Sequence, residues 1–221
     1  MRIALCGGTG DLGAGLALRL TRDTDHEVLV GSRDPEKARE RATEYERELD
    51  GRDVEGEIKG FDNAMATDRA DVAVLCVPAY HLADTIDAIE DGLDDTIVVT
   101  PAVGMRREDG TMHYNPPSAG SVSALAAAAA PDGVPVVGAF HNLAAGRLAD
   151  LDASLDWDVL VVGDDTDAKA TVGSLADGID GMRALDAGPL AAAPAVESLT
   201  PLLINVAANN DALADLGVSF H

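Results

Sequence analysis

Residues 2–15 read Arg-Ile-Ala-Leu-Cys-Gly-Gly-Thr-Gly-Asp-Leu-Gly-Ala-Gly, and this stretch decides the fold. The apolar run Ile3–Cys6 predicts a buried parallel strand. Glycines then interrupt the chain, and a helical pattern begins at about Asp11. The order strand, tight turn, helix is the opening unit of an open α/β sheet.

The glycine spacing in this turn, Gly8-x-Gly10-x-x-Gly13, is that of a dinucleotide-binding fingerprint. The three glycines allow the turn, the close approach of a pyrophosphate and close packing of the helix on the strand. The alternative is a glycine-rich turn that binds nothing. The preceding apolar strand and the small residues of the helix favour a dinucleotide, for which we expect contacts from the turn and the first helical residues: Gly8, Thr9, Gly10, Asp11, Leu12 and Gly13.

The second strand ends where this fold selects between NAD and NADP. An acidic residue at this place accepts the ribose 2′-hydroxyl of NAD, but here the chain has Ser32 and Arg33 instead. Lys37 follows in the first turn of the next helix, where a cation opposes the helix dipole. We therefore predict that Arg33 and Lys37 bind the 2′-phosphate of NADP. The alternative is surface charge pairing with Glu36 or Glu40.

The remaining pattern predicts an α/β fold with a Rossmann-like doubly wound parallel sheet and a small C-terminal α/β-helical domain. We expect residues 1–150 to form the NADP-binding domain, and residues 151–221 to cover the cleft and contribute to a dimer. Further strands are predicted at residues 27–31, 54–60 (an edge strand), 71–77, 96–100, 134–139, 157–163 and 182–185. Helices are predicted at 11–22, 35–49, 78–91, from a Ser118 cap to 130, and at 166–178. A final helical region is predicted after Gly188-Pro189, in which Thr200-Pro201 is either a helix start or a kink in a longer helix. Residues 102–117 are predicted as the longest unstructured segment, either a lid or a long connection.

Several residues directly follow predicted strands and are candidates for the crevice at the carboxyl edge of the sheet. They are Val77, Pro78, Pro101, Ala102 and His141. Alternatively, the prolines only terminate strands, and His141 is a structural histidine. No Ser/His/Asp or paired-carboxylate pattern accompanies His141, and the histidine spacing indicates no metal site.

The charge balance is strongly acidic, with 39 Asp and Glu against 16 Lys and Arg, a net charge of -23. The acidic residues are spread along the chain and only three of the bases are lysines, which favours a halophilic protein that stays hydrated in concentrated salt. No basic stripe is present, so nucleic acid is not an expected partner.

Two cysteines, Cys6 and Cys76, exclude a disulfide scaffold and are expected to be buried thiols, although a bridge between them is conceivable. We find no signal-peptide pattern and expect no 18-residue apolar run. A cytoplasmic protein without membrane contact is the resulting expectation.

Six motifs together resemble the NADPH-dependent coenzyme F420 reductase family. They are Gly7-Gly-Thr-Gly-Asp-Leu-Gly13, Gly31-Ser-Arg33, Val77-Pro78, Trp157-Asp-Val, Leu185-Asp-Ala-Gly-Pro189 and Val196-Glu-Ser-Leu-Thr-Pro201. The resemblance implies a homodimer that exchanges a hydride directly between NADP(H) and the deazaflavin coenzyme F420.

The resemblance also implies roles for individual residues. Those that match NADP-binding positions are Thr9, Ser32, Arg33 and Lys37; those that match positions near the deazaflavin are His141, Ser198 and Thr200. His141 would orient or polarise the deazaflavin rather than move an obligatory proton. Pro194 replaces an arginine that relatives commonly carry, so one basic contact to the anionic coenzyme is absent.

Two other functions fit the same fold. One is an NADP-dependent reductase of another small substrate, such as an imine or a metal chelate, which Pro194 favours. The other is a dinucleotide-binding sensor without turnover, which the absence of catalytic groups favours but the C-terminal motifs do not.

Overall fold

Strands alternate with helices through most of the chain, and the computed structural model describes all 221 residues. The strands are β1 (Arg2–Cys6), β2 (Glu27–Ser32), β3 (Ile58–Asp62), β4 (Val72–Leu75), β5 (Ile97–Thr100), β6 (Met105–Glu108), β7 (Thr111–Tyr114), β8 (Val136–Gly138), β9 (Trp157–Gly163) and β10 (Met182–Asp186). The helices are α1 (Asp11–Asp23), α2 (Pro35–Asp50), α3 (Asn63–Thr67), α4 (Leu82–Ala88), α5 (Val122–Ala129), α6 (Ala145–Ala149), α7 (Thr166–Asp177), α8 (Ala193–Glu197) and α9 (Leu199–Ala208).

Eight strands form one sheet in the order β10-β9-β8-β5-β4-β1-β2-β3. All neighbours are parallel except β8 and β9, which are antiparallel. The chain leaves β1 toward β2 on one side, and β4 pairs with β1 on the other, so the strand order reverses at β1. A crevice opens at such a reversal, beyond the carboxyl ends of the strands. The predicted Rossmann-like α/β fold is confirmed.

Side chains alternate between the two faces of the sheet, and each face has its own apolar core. Cys6 packs on one face with Leu75 and Leu82, whereas Cys76 packs against the cluster of the other face, which contains Leu5. A disulfide between the two cysteines is therefore not formed. Burial raises the pKa of the Cys6 thiol to about 11 and also raises that of Cys76, so both stay protonated at neutral pH.

The sheet continues across the boundary predicted near residue 150. β9 pairs with β8 through Val137 and Gly163, and β10 extends the same sheet beyond β9. The C-terminal part therefore shares its backbone hydrogen bonds with the N-terminal part. The division into domains at this residue stays a prediction.

Residues 102–117 were predicted to be unstructured, but they contain the antiparallel hairpin β6–β7. Asp109 and Gly110, both with positive φ, form its turn. The Asp-Gly pair and the alternation of exposed and part-buried residues in β7 were available signals for a hairpin, whereas β6 is mostly charged. The helix that follows is capped by Ser121, whose hydroxyl accepts a hydrogen bond from the Ala124 N–H, and not by Ser118 as predicted.

The last helical region begins directly after Gly188-Pro189, as predicted, with a single turn at Leu190–Ala192 that leads into α8 and then α9. The break between α8 and α9 lies at Ser198, three residues before Pro201, so the predicted kink in a longer helix is the alternative that the structure has. The whole segment Leu190–Ala208 is long and apolar enough, by length and composition alone, to cross a membrane. The expectation of no such run was wrong because alanine and leucine outweigh the single charge of Glu197.

Candidate functional site

The turn between β1 and α1 can be formed only by glycine at several positions. A Cβ at Gly13 would lie 2.4 Å from the Cα of Gly8, and a Cβ at Gly8 would lie 2.7 Å from the Leu5 carbonyl oxygen. Gly7 has a φ of +77°, which glycine adopts without strain. A Cβ at Gly10, by contrast, would contact only the Gly7 oxygen, at 3.6 Å, so the protein itself leaves this position open.

The N-terminus of α1 has no side-chain cap. The first N–H groups of a helix need acceptors, and the positive end of its dipole favours an anion. The uncapped start of α1, directly after the glycine turn, therefore fits a phosphate group.

A cleft of about 430 Å³ opens beside this turn, at the carboxyl ends of β1, β2 and β4. Its lining is largely polar and comes from the glycine turn, the end of β2, the start of α3, and the β4–α4 segment. The residues are Gly7, Thr9, Gly10, Ser32, Arg33, Lys37, Asn63, Cys76, Val77, Pro78, His81, Asp84, Thr85 and Ala88. Its position at the strand reversal is where this fold class binds ligands.

Arg33 and Lys37 are exposed cations on the wall of this cleft. Neither makes an ion pair with a carboxylate, although the chain has 39 acidic residues. The neighbouring Asp34 instead accepts hydrogen bonds from the Glu36 and Lys37 N–H groups and caps α2. Two unpaired cations on the wall of one cleft fit a doubly charged phosphate.

The cleft brings together seven of the residues predicted from sequence: Thr9, Gly10, Ser32, Arg33, Lys37, Val77 and Pro78. Gly8 and Gly13 shape the turn, and Asp11 and Leu12 begin α1. The other predicted residues do not line this cleft: Pro101, Ala102, His141, Ser198 and Thr200. Asn63 also lines the cleft but was not predicted, and its Oδ1 accepts a hydrogen bond from the Gly7 N–H at 3.3 Å. Its position directly after β3, a parallel strand, was an available signal.

A second cavity, of about 350 Å³, lies between α6, α9 and the C-terminal segment, and its walls are mostly apolar. Its lining is Asn142, Leu143, Ala144, Ala145, Thr200, Leu203, Ile204, Ala207, Asp215 and Leu216. The structure places the predicted Thr200 here, where its hydroxyl donates to the His141 carbonyl at 2.7 Å. Ser198 lies outside both cavities and donates to the Ala195 carbonyl.

His141 follows β8 and is buried, with 3% of its surface exposed. Burial lowers the pKa of its imidazole to about 4, so the ring is neutral at physiological pH. Its Nδ1 atom and the Oδ1 atom of Asn142 are buried without a hydrogen-bond partner. The preceding Phe140 has a φ of +64°, a strained conformation for a bulky residue. Unpaired polar atoms and backbone strain together are typical of functional sites.

The motif residue Glu197 is completely buried and joins three parts of the chain. Its carboxylate accepts hydrogen bonds from the Tyr114 hydroxyl, the N–H groups of Val122 and Ser123, and the Ser123 hydroxyl, at 2.9 to 3.0 Å. It thereby binds the hairpin to the N-terminus of α5, and burial beside this carboxylate raises the pKa of Tyr114.

The other C-terminal motif, Leu185-Asp-Ala-Gly-Pro189, forms a turn. Asp186 accepts hydrogen bonds from Lys169 Nζ and from the Gly188 N–H. Gly188 has a φ of +102° and its carbonyl accepts from Gly163 at 3.2 Å. The motif at Leu185–Pro189 and the motif that contains Glu197 therefore both attach the C-terminal part to the rest of the protein.

Comparison with known proteins gives a consistent result. The sequence profile of the family "NADP oxidoreductase coenzyme F420-dependent" matches residues 2–104. F420-dependent NADP reductase of Methanocaldococcus jannaschii is 39% identical over 209 residues, which cover 93% of this chain and 92% of the relative. The enzyme of the same name from Methanothermobacter marburgensis is 38% identical over 213 residues, 95% of this chain and 94% of the relative.

A solved structure has the same fold over the whole chain. It is a candidate F420-dependent NADP reductase from Arthrobacter sp. FB24, with a TM-score of 0.80 and 24% identity over 100% of this chain and 99% of the other. The end-to-end coverage of the two archaeal relatives establishes the kinship. The chain belongs to the family of coenzyme F420-dependent NADP oxidoreductases.

Proposed function

We propose that this protein transfers a hydride between NADP(H) and coenzyme F420. The observation that carries the proposal is the cleft at the β1–α1 turn, where Arg33 and Lys37 lie free of carboxylate partners in an enzyme of this family. When bound together, the nicotinamide and the deazaflavin supply the hydride chemistry themselves. The protein's part is to bind and orient the two rings and to exclude water.

For NADP we propose that the uncapped N–H groups at the start of α1, from Asp11, Leu12 and Gly13, bind the pyrophosphate. Gly10 leaves the room for that approach, while Gly8 keeps the turn tight. The side chains of Thr9 and Val77 with Pro78 form the neighbouring walls of the same cleft.

The 2′-phosphate of NADP would lie at the carboxyl end of β2. Arg33 offers a planar fork of donors and Lys37 a point charge, and both are exposed at this end of the cleft. Ser32 is buried, and its hydroxyl accepts from the Asp34 N–H, so it holds the turn that presents Arg33.

For the deazaflavin we propose the second, mostly apolar cavity, because a flat aromatic ring needs apolar walls with few polar anchors. Leu203 and Ile204 provide such walls, and Thr200 and Asn142 provide polar atoms at the same cavity. The strand-end residues Pro101, Ala102 and His141, with Ser198 after α8, remain proposed contacts near the two rings. Pro194, on α8, supplies no positive charge for the anionic tail of the coenzyme.

The test is to mix the purified protein with NADPH and oxidised coenzyme F420 and to follow the deazaflavin absorbance. We expect bleaching with NADPH and much slower bleaching with NADH. If NADPH binds but the absorbance does not change, a panel of imines and metal chelates decides whether the enzyme reduces another substrate. NADPH binding without consumption in any mixture would indicate a sensor.

We also propose that the protein is a cytoplasmic homodimer, with the C-terminal part of residues 151–221 covering the cleft and contributing to the interface. The exposed face of α9 supports this proposal, because Leu202, an apolar residue on a mostly apolar helix, is 55% exposed. Light scattering together with Leu202→Glu tests it: the wild type should have twice the chain mass, and the variant should shift toward the monomer.

Finally, we propose that the protein is halophilic, on the basis of its net charge of -23. Like charges repel across the surface, and salt screens them because the Debye length is about 3 Å at 1 M. Thermal unfolding should therefore move to higher temperature as potassium chloride is raised. Highest stability in low salt would contradict the proposal.

A further inference from the structure

A chain of hydrogen bonds connects the hairpin to His141 through the interior. The Tyr114 hydroxyl donates to Glu197, and the Ser123 hydroxyl also donates to Glu197, at 2.9 Å each. The Ser123 oxygen then lies 3.4 Å from Nε2 of His141. Ser123, Glu197 and His141 are all buried, so solvent supplies no competing partners.

The direction of these bonds is fixed by the carboxylate. Glu197 faces the N–H groups of Val122 and Ser123 and two hydroxyls, and both of its oxygens are occupied as acceptors. An ionised carboxylate only accepts hydrogen bonds. The single hydroxyl proton of Ser123 therefore points to Glu197.

With its proton used, the Ser123 oxygen offers only lone pairs to His141. A neutral imidazole carries its proton on one of its two nitrogens, and Nε2 can contact this oxygen favourably only as an N–H donor. Nδ1 is then left as a bare acceptor, and it is the atom that the protein leaves without a partner.

Gly138 makes this arrangement possible. A Cβ at this position would lie 2.6 Å from the Ser123 hydroxyl oxygen and 2.9 Å from Cε1 of His141. Only glycine leaves room for both side chains to meet over the end of β8. The contact between Ser123 and His141 is thus built by two segments of the chain, the start of α5 and the end of β8.

We propose that Ser123 is a positioning residue: with its proton held by Glu197, it fixes His141 as the Nε2-protonated neutral tautomer and leaves Nδ1 as a bare acceptor inside the protein. The low pKa of His141 agrees with this state, because a protonated ring would make both nitrogens donors. The tautomer assignment does not rest on the proposed function; the expected change in kcat does.

The tautomer itself is tested without any cofactor. The test uses protein in which histidine is labelled with 15N, so that the two ring nitrogens of His141 can be observed. Long-range proton–nitrogen spectra of the labelled protein should show a proton on Nε2 of His141 and none on Nδ1. Ser123→Ala should give a mixture of both tautomers. A control on the same helix, Ser121→Ala, removes the α5 cap and should leave the tautomer unchanged. A proton on Nδ1 in the wild type would refute the proposal.

Kinetics separate hydrogen bonding from packing. Ser123→Cys keeps a side-chain atom beyond Cβ, although sulfur is larger than oxygen, and it bonds weakly. It should therefore lose as much kcat as Ser123→Ala if the hydrogen bond matters, and less than Ser123→Ala if only the filled volume matters. We expect kcat to fall about five- to tenfold in both variants, the value of one hydrogen bond, with the KM for NADPH unchanged. An equal fall in Ser121→Ala would show that only helix stability is involved.

The two proposals fail in different ways. If wild-type protein shows the Nε2 proton but does not reduce F420, the proposed function fails and the tautomer assignment stands. If it reduces F420 and Ser123→Ala changes neither the tautomer nor kcat, Ser123 has no positioning role.

Discussion

Glu197 accepts hydrogen bonds from both the amide N–H and the hydroxyl of Ser123, each at 2.9 Å. A completely buried carboxylate in a protein with a net charge of -23 is therefore stabilised by helix N–H groups and hydroxyls rather than by a cation. The positive end of the α5 dipole contributes to this. The Glu-Ser-Leu-Thr-Pro motif therefore has a structural role, in addition to lying near the site proposed for the deazaflavin.

Glu197→Gln should destabilise the protein strongly. The amide NH2 of glutamine would face groups that are themselves donors, and a buried unpaired polar group costs about 1–3 kcal/mol. We expect the free energy of unfolding to fall by about 3 kcal/mol, since several donors lose their acceptor. Urea unfolding measures it, with the exposed Glu40→Gln as the matched control. Equal stability of the two variants would contradict the role of Glu197.

Arg33→Ala should change cofactor preference rather than stability. The lost charge-assisted hydrogen bonds are worth about 1.5–3 kcal/mol, so the KM for NADPH should rise at least about tenfold. The KM for NADH should change less than about twofold, because NADH has no 2′-phosphate for Arg33 to bind. Lys37→Ala should act in the same direction but less, because it lacks the bidentate fork.

The matched control for both is Arg39→Ala. Arg39 is an exposed base on the same helix without a carboxylate partner, but it does not line the cleft. If Arg39→Ala weakened NADPH binding as much as Arg33→Ala, the effect would come from general charge and not from a site.

Gly10→Ala and Gly13→Ala should separate binding from folding. A Cβ at Gly10 contacts nothing closer than 3.6 Å, so the variant should fold normally but lose NADPH affinity, because the methyl group occupies the path of the pyrophosphate. A Cβ at Gly13 overlaps Gly8, so that variant should unfold at lower temperature. Thermal melts and calorimetric titration measure the two effects. If Gly10→Ala lost stability but kept its affinity for NADPH, Gly10 would serve folding rather than binding.

Stability should depend on pH through His141. Its pKa is about 4 in the folded protein against 6.5 in an exposed histidine, so the unfolded chain binds more protons between these values. The free energy of unfolding should therefore decrease as the pH is lowered from about 6.5 toward about 4, and the decrease should be smaller in His141→Gln. The carboxylate connected to His141 by hydrogen bonds is Glu197, and Ser123 lies between the two.

The same shift predicts that kcat has no inflection from His141 between about pH 6 and pH 8, where the ring stays neutral. Exposed His113→Gln is the control for both measurements. An unchanged pH profile of stability in His141→Gln would show that the buried ring does not titrate as described.

The sequence predicted the parts of the fold that depend on neighbouring residues. The alternation of apolar runs with amphipathic helices, the glycine turn after Cys6 and the Asp34-Pro35 helix start each follow from local physical chemistry, and the structure has them. Arg33 and Lys37 were predictable for the same reason, since they lie at a strand end and four residues apart. The β6–β7 hairpin was not predicted although its Asp109-Gly110 turn is a local signal, because the mostly charged β6 lacks the apolar pattern of a strand.

Only the tertiary structure decided which distant residues share an environment. Nothing in the sequence indicates that Ser123 meets His141, that Gly138 makes room for them, or that Glu197 bonds to the start of α5, 75 residues earlier in the chain. The sheet likewise joins β9 to β8 across the predicted domain boundary. Secondary structure depends on short-range pattern, which a sequence displays directly, whereas a buried polar contact depends on how whole elements pack, which a sequence specifies only through the complete fold.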